Sequence, residues 1–301
     1  MSSKSGDYLK KPIIFIGNPR SGTTIISNIA MRHKDLGFPS NWHNIFPKSL
    51  AINFLRFLFQ NPFWEIYSQH KYAFRSSENY TIWSQNLEKE LDFGRDFLIG
   101  QRASEDTVKR ARDYFEKIVR YQRKKRLAFK LTGPAKIEYL LSIFPDAQFV
   151  RIHRNPVPTV SSLIKSDFWE DLGATKLWWT GVYSDEEKKF AERNVGNRVA
   201  ITALQTKKVS NITDMEIEKT GVEVLDVRYT DFIQSPEETI GSILNHLNLS
   251  KDPRCFEYFK KNKIYNKNKT DEDYFDSKDL ETIYSIYADV SLGTQYETQR
   301  N

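Results

Sequence analysis

The run Gly17-Asn-Pro-Arg-Ser-Gly-Thr-Thr24 follows a short apolar stretch, PIIFIG, at residues 12–17. A strand, a glycine-containing loop and a helix in that order turn backbone N–H groups and a helix N-terminus toward a phosphate. Gly17 and Gly22 have the spacing of the Walker A loop, but Thr23 stands where that loop carries its lysine, and Thr24 follows it. Without that lysine, chemistry at the β- and γ-phosphates of ATP lacks its usual cation. Arg20 lies inside the loop instead and offers a planar guanidinium fork to a bound anion. Ser21, Gly22, Thr23 and Thr24 complete the loop at the start of the helix.

A second anion site is carried by FVRIHRNPVPTVSS, residues 149–162. Arg154 stands at the end of an apolar strand. Pro156 and Pro158 suit the first turn of a helix, where a missing N–H matters least. Ser162 lies eight residues after Arg154, about two turns into that helix. An arginine at a strand end and a hydroxyl on the next helix can share one phosphate. Proton acceptors are scarcer. Glu78 lies in the aromatic-flanked segment FRSSENYTIW, and His43 in PSNWHN. Imidazole accepts protons near neutral pH, and a glutamate does so when partly buried. The five histidines show no HExxH or paired spacing, and the single cysteine, Cys255, excludes both an internal disulfide and a thiolate-built zinc site. No metal is expected.

The elements that must position these residues alternate. Strands are expected at 12–17, 127–131 (LAFKL), 147–153 (AQFVRIH) and 222–228 (VEVLDVR), and helices after the loop, at 105–122, at 137–143, after Pro156 and from Pro236 to Leu247. Strands alternating with helices predict a parallel sheet covered on both faces. Residues 40–104, rich in aromatics, Asn and Ser, fit this pattern poorly and read as a helical insertion over the acceptor site. The polar stretch 260–273 reads as a mobile loop. Trp169, Trp178 and Trp179 suit either the core or stacking on a ring. Arg120, Arg123, Lys124, Lys125 and Arg126 read as a solvated helix end.

Composition narrows the classes. Hydrophobic residues make up 39% of the 301 residues, enough for a sizeable core in one large α/β domain. With 45 basic against 39 acidic residues, the net charge of +6 suits an anionic ligand and does not make a nucleic-acid binder. No window approaches the roughly 18 consecutive apolar residues of a membrane span. The start, MSSKSGDYLKKP, has no apolar run like that of a signal peptide. A cytoplasmic protein without stable membrane insertion is expected.

Taken together, the two anion elements resemble the sulfotransferases that use 3′-phosphoadenosine-5′-phosphosulfate (PAPS). That family's first loop reads close to Pro-Arg/Lys-x-Gly-Thr-Thr/Ser and holds the 5′-phosphosulfate; Pro19 to Thr24 match it. Its 3′-phosphate element reads Arg-Asn/Asp-Pro with a serine eight residues after the arginine; Arg154, Asn155, Pro156 and Ser162 match. Arg228-Tyr229-Thr230-Asp231-Phe232 resembles the family's Tyr-Glu-Asp-Leu segment, which implies that Tyr229 packs near the adenine. The likeness spans residues 12–249 and implies a three-layer αβα sandwich with a central parallel sheet, related to the P-loop NTPases. It also implies transfer of a sulfuryl group from PAPS to an acceptor hydroxyl of a carbohydrate, lipid or small metabolite.

Resemblance to the cytosolic members implies that Lys130, at the end of the LAFK strand, lies near the transferred group. Their catalytic histidine follows that lysine by two residues, where this sequence has Thr132. The glutamate that protein-tyrosine sulfotransferases carry beyond the first helix is missing from PSNWHN. The base is therefore expected at Glu78, within a segment resembling a Ser-Glu-aromatic stretch of some bacterial members, with His43 second. A P-loop-type nucleotide kinase and a non-catalytic nucleotide-binding protein are the alternatives.

Overall fold

The computed structural model describes residues 7–46, 76–84, 91–266, 268, 271 and 273–289. Five strands form one sheet: β1 (Ile13–Gly17), β2 (Leu36–Gly37), β3 (Arg126–Lys130), β4 (Gln148–His153) and β5 (Val224–Arg228), in the order β2-β3-β1-β4-β5. Every pairing is parallel. β1 is the central strand, and its side chains alternate between two cores. Ile14 and Ile16 face one, with the helices Glu105–Tyr121 and Ile137–Ile143. Ile13 and Phe15 face the other, with α1 (Thr23–Ala30) and the helices Pro236–His246 and Pro253–Lys261. All four side chains are fully buried, each worth about 1.5–3 kcal/mol of transfer free energy. The result is a three-layer αβα sandwich of the P-loop type, as expected.

The expected strands are present, with ends shifted by a residue or two. Several elements were not expected, and two of them show why. β2 has only two residues, too few to show a period. The helix Arg198–Thr220 is 23 residues long, yet its buried positions include Gln205, Lys207, Lys208 and Glu216. Lys208 donates to both oxygens of the equally buried Glu187, at 3.0 and 2.8 Å. Polar residues satisfied inside the protein erase the apolar stripe by which such a helix is recognised. Its apolar positions Ala200, Ile201 and Leu204 pack with Val157 and Val160 of the helix Pro156–Ile164 and with Ile283 and Ile286 of the helix Ser277–Ala288.

Trp169 and Trp179 are core residues, with ring centroids 5.2 Å apart. Trp178 is half-buried under the guanidinium of Arg95. The basic run is less solvated than its composition implies. Lys124 donates to the Lys34 carbonyl at 2.9 Å, Lys125 pairs with Asp35 at 2.9 Å, and Arg126 bonds the carbonyls of Lys11 and Leu247. These contacts tie the N-terminal edge of the sheet together.

Of the expected insertion at 40–104, residues 47–75 and 85–90 lie outside the described residues. Among the described residues no helix is long and apolar enough to cross a membrane.

Candidate active site

The phosphate loop, Lys130 and Arg154 meet at one edge because the sheet is parallel. Phe15 pairs with Lys130 and Gly17 with Ile152, so the ends of β1, β3 and β4 lie level. This is the carboxyl edge of the sheet, where ligands of open α/β folds bind.

Within the loop, the Ser21 amide and hydroxyl both bond the Asn18 carbonyl, at 3.2 and 2.7 Å, and the hydroxyl also meets Thr23 Oγ1 at 3.0 Å. Ser21 and Thr23 are buried, so their hydroxyls hold the loop's shape from inside. Asn18 anchors the loop from below, its Nδ2 donating to the Thr206 carbonyl and to Ser210 Oγ on the helix Arg198–Thr220. Arg20 is exposed and has φ +68°, a left-handed conformation uncommon for a residue with a side chain. Strain of this kind concentrates at ligand sites. Gly22, at φ +93°, has the Tyr229 ring against it; a Cβ there would stand 2.3 Å from Tyr229 Cδ2.

Lys130 is nearly sealed, with 4% of its side chain exposed. Its Nζ donates to Thr24 Oγ1 at 2.8 Å and to Glu78 Oε1 at 2.7 Å. The Thr132 hydroxyl donates to the same Glu78 oxygen at 3.1 Å, and the Tyr80 hydroxyl donates to the Thr132 carbonyl. A carboxylate, an ammonium group and the first turn of α1 are thus linked directly. Burial pushes the Glu78 carboxyl up, but the charge of Lys130 and the hydrogen bonds from Lys130, the Glu78 backbone and Thr132 outweigh it, so its pKa lies below the ordinary value of 4.5. The group is ionised at neutral pH.

His43 is placed differently. It is buried on α2 (Asn41–Ile45), and its Nδ1 accepts from the Ser40 amide at 3.0 Å and meets Ser40 Oγ at 3.2 Å, closing a capping box. The loops carrying His43 and Glu78 adjoin: Ser40 bridges Ser76, and Asn44 Nδ2 donates to Ser77 Oγ at 2.7 Å. His33 lies in the turn after α1, its Nε2 against the Ser250 carbonyl at 3.0 Å.

At the second site, the Arg154 side chain is 4% exposed and has three hydrogen-bond partners among the described residues. Nη1 donates to the Arg20 carbonyl at 3.1 Å, Nε to Asn268 Oδ1 at 2.9 Å, and Nη2 to Asp271 Oδ2 at 2.7 Å. Its guanidinium lies 5.0 Å from the centre of the Tyr229 ring. Ser162 Oγ accepts from Arg20 Nε at 3.1 Å, so the two anion elements are in contact. A cleft of about 620 Å³ opens beside them, between His153, Arg154 and Asn155 on one side and Arg228 and Thr230 on the other.

Asn268 and Asp271 belong to the stretch expected to be a mobile loop, yet both are buried. Neither they nor Lys165 carries a signal in the sequence, because Asn268 and Asp271 gain their significance from contact with Arg154, and Lys165 from its bond to Asp271. Thr132 could have been found: it is two residues beyond Lys130 and lies on the same side of the extended chain.

Comparison with known proteins agrees with this architecture. A sequence profile described as the sulfotransferase family matches residues 12–253. Two solved structures are similar in fold. One is the sulfotransferase STF9 from Mycobacterium avium, with TM-score 0.56 and 17% identity, over 93% of this chain and 76% of that one. The other is the sulfotransferase STF1 from Mycobacterium tuberculosis H37Rv, with TM-score 0.52 and 17% identity, over 91% and 76%. A comparison with curated protein sequences finds no match. A matching profile across most of the chain, on a parallel sheet that gathers Arg20, Lys130 and Arg154 at one edge, makes the protein a member of the sulfotransferase family.

Proposed function

We propose that the protein moves a sulfuryl group from PAPS to an acceptor hydroxyl, with Glu78 as the general base. One observation carries this reading: Lys130 bridges the phosphate loop at Thr24 and the carboxylate of Glu78. That bridge brings a proton acceptor to the end of the loop where a phosphosulfate would be held.

The donor supplies an already activated sulfuryl group, whose bond to the phosphate oxygen breaks as the bond to the acceptor oxygen forms. The residues of this chain do the rest. Arg20 and the loop amides hold the 5′-phosphosulfate, and Ser21, Gly22, Thr23 and Thr24 shape that cradle. Glu78 takes the acceptor's proton. As its charge is neutralised, the ammonium of Lys130 turns toward the leaving phosphate oxygen and stabilises the electron pair developing there. Arg154 and Ser162 bind the 3′-phosphate, and Tyr229 supports both the loop and Arg154. His43 holds the neighbouring turn and acts on acceptor position. The acceptor is a hydroxyl of a carbohydrate, lipid or small metabolite. A cytoplasmic setting suits the single cysteine, a buried thiol whose pKa burial raises to about 12.

Turnover of labelled PAPS tests the reaction. Arg154→Ala should weaken adenosine 3′,5′-bisphosphate by about 1.5–3 kcal/mol, the size of a charged hydrogen bond, and leave adenosine 5′-monophosphate nearly unaffected. Calorimetry with both nucleotides checks this; equal losses remove Arg154 from the role. Because Arg20, Lys130 and Arg154 supply the positive charge, EDTA should leave transfer intact. A strict requirement for Mg²⁺ would favour a kinase-like mechanism.

A further inference from the structure

The environment of Arg154 identifies a second cation. Asp271 is buried and uses both carboxylate oxygens: Oδ2 accepts from Arg154 Nη2 at 2.7 Å, and Oδ1 from Lys165 Nζ at 3.0 Å. Lys165 caps the C-terminal end of the helix Pro156–Ile164, the helix that also carries Ser162. Its side chain is about one-third exposed, and its Nζ lies 4.3 Å from the centre of the Tyr274 ring. A single carboxylate therefore bridges an arginine and a lysine at the site where Arg154 would meet a phosphate.

We propose that Arg154 and Lys165 together form the seat of the donor's 3′-phosphate, and that the Asp271 carboxylate is an internal stand-in which that phosphate displaces. The inference rests on the PAPS reading above.

Charge and geometry support it. Two cations converge on one carboxylate. A phosphate monoester, carrying about −1.5 to −2 at neutral pH, replaces that single charge with a larger one. The carboxylate and a phosphate also require the same geometry, oxygens within about 3 Å of two N–H donors. They cannot occupy it together, because two anions at that separation repel strongly where little water screens them. With Arg154 only 4% exposed, an incoming phosphate reaches its Nη2 only if Asp271 moves away. Lys165, being more exposed, is the cation a phosphate meets first.

Two variants with opposite expected signs provide the test, read by calorimetry against adenosine 3′,5′-bisphosphate and adenosine 5′-monophosphate. Lys165→Met should weaken the bisphosphate about tenfold, while the monophosphate stays within about twofold. Asp271→Asn removes the competing charge at constant shape and should tighten the bisphosphate about fivefold, again sparing the monophosphate. Lys165→Arg keeps the charge and should hold the bisphosphate within about threefold of the unaltered chain. If Asp271→Asn weakens the bisphosphate, Asp271 orients Arg154 and the stand-in is refuted. If Lys165→Met costs both nucleotides equally, or Lys165→Arg loses as much as Lys165→Met, Lys165 is not part of the seat. The unaltered chain separates the two levels of failure. If it binds the monophosphate as tightly as the bisphosphate, the PAPS reading falls and the seat with it. If it prefers the bisphosphate while a variant shows one of these overturning outcomes, only the seat is wrong.

Discussion

Glu78→Gln should lower kcat by about 10²–10⁴-fold and leave donor affinity nearly unchanged, the scale of losing a general base. The substituted amide keeps the shape of the side chain, and its oxygen still accepts from Lys130 and Thr132. What it loses is the ability to take a proton. The fold should lose little, about 1–2 kcal/mol, because the amide still satisfies the buried ammonium. Thermal unfolding checks that part and single-turnover kinetics the other. The direction of the pKa shift adds a signature. The folded carboxyl titrates below 4.5, so it should stay ionised, and the rate flat, down to the edge of acid unfolding. Because the folded value is depressed, the pair with Lys130 contributes stability above the unfolded carboxyl's pKa and loses it as pH falls through the folded one. His43→Ala should cost less than Glu78→Gln, through acceptor position. Normal turnover by Glu78→Gln beside a dead His43→Ala would reverse the two roles.

Gly22→Ala should damage the donor site severely. Two costs combine. A residue with a side chain pays about 1–2 kcal/mol for the left-handed conformation that Gly22 holds at φ +93°. The new Cβ would also stand 2.3 Å from the Tyr229 ring, which lies against Arg154 and cannot retreat without disturbing it. The sum is about 2–4 kcal/mol of stability, with a loss of donor affinity of at least about tenfold. The double variant Gly22→Ala/Tyr229→Ala separates the costs, since removing the ring relieves the collision but not the backbone strain. If Gly22→Ala melts like the unaltered chain and binds bisphosphate normally, the close approach of ring and loop has no energetic weight.

The parts of the protein readable from its sequence are those fixed by local chemistry. β1, β3 and β4 announce themselves as apolar runs because the interior strands of a parallel sheet are covered on both faces, whereas β5, at the sheet edge, shows Val and Leu interspersed with Asp and Arg. The loop is legible because a glycine bend between strand and helix has few other uses. Arg154 and Ser162 are legible because a strand end and the helix directly after it fix their spacing. Glu78 is different in kind. Its segment suggested a base, but the contact with Lys130 spans 52 residues and depends on how the chain returns to the sheet. The helix Arg198–Thr220 was hidden by its own buried lysines and glutamate. Asp271 was hidden by the polar company it keeps: a run of Lys, Asn and Asp reads as solvated, and only a buried arginine gives Asn268 and Asp271 an interior place.

The anchoring of Asn18 by Thr206 and Ser210 also bears on how the protein is made. The phosphate loop leaves the ribosome well before its floor, since Ser210 follows Asn18 by 192 residues. At about 5–20 residues per second, roughly 10–40 s of translation separate the two. During that interval the nascent loop has neither its floor nor Arg154's full set of partners. The donor therefore cannot assist the early stages of folding. It can act only as a late clamp, once Ser210 and the Arg154 partners Asn268 and Asp271 have also been made.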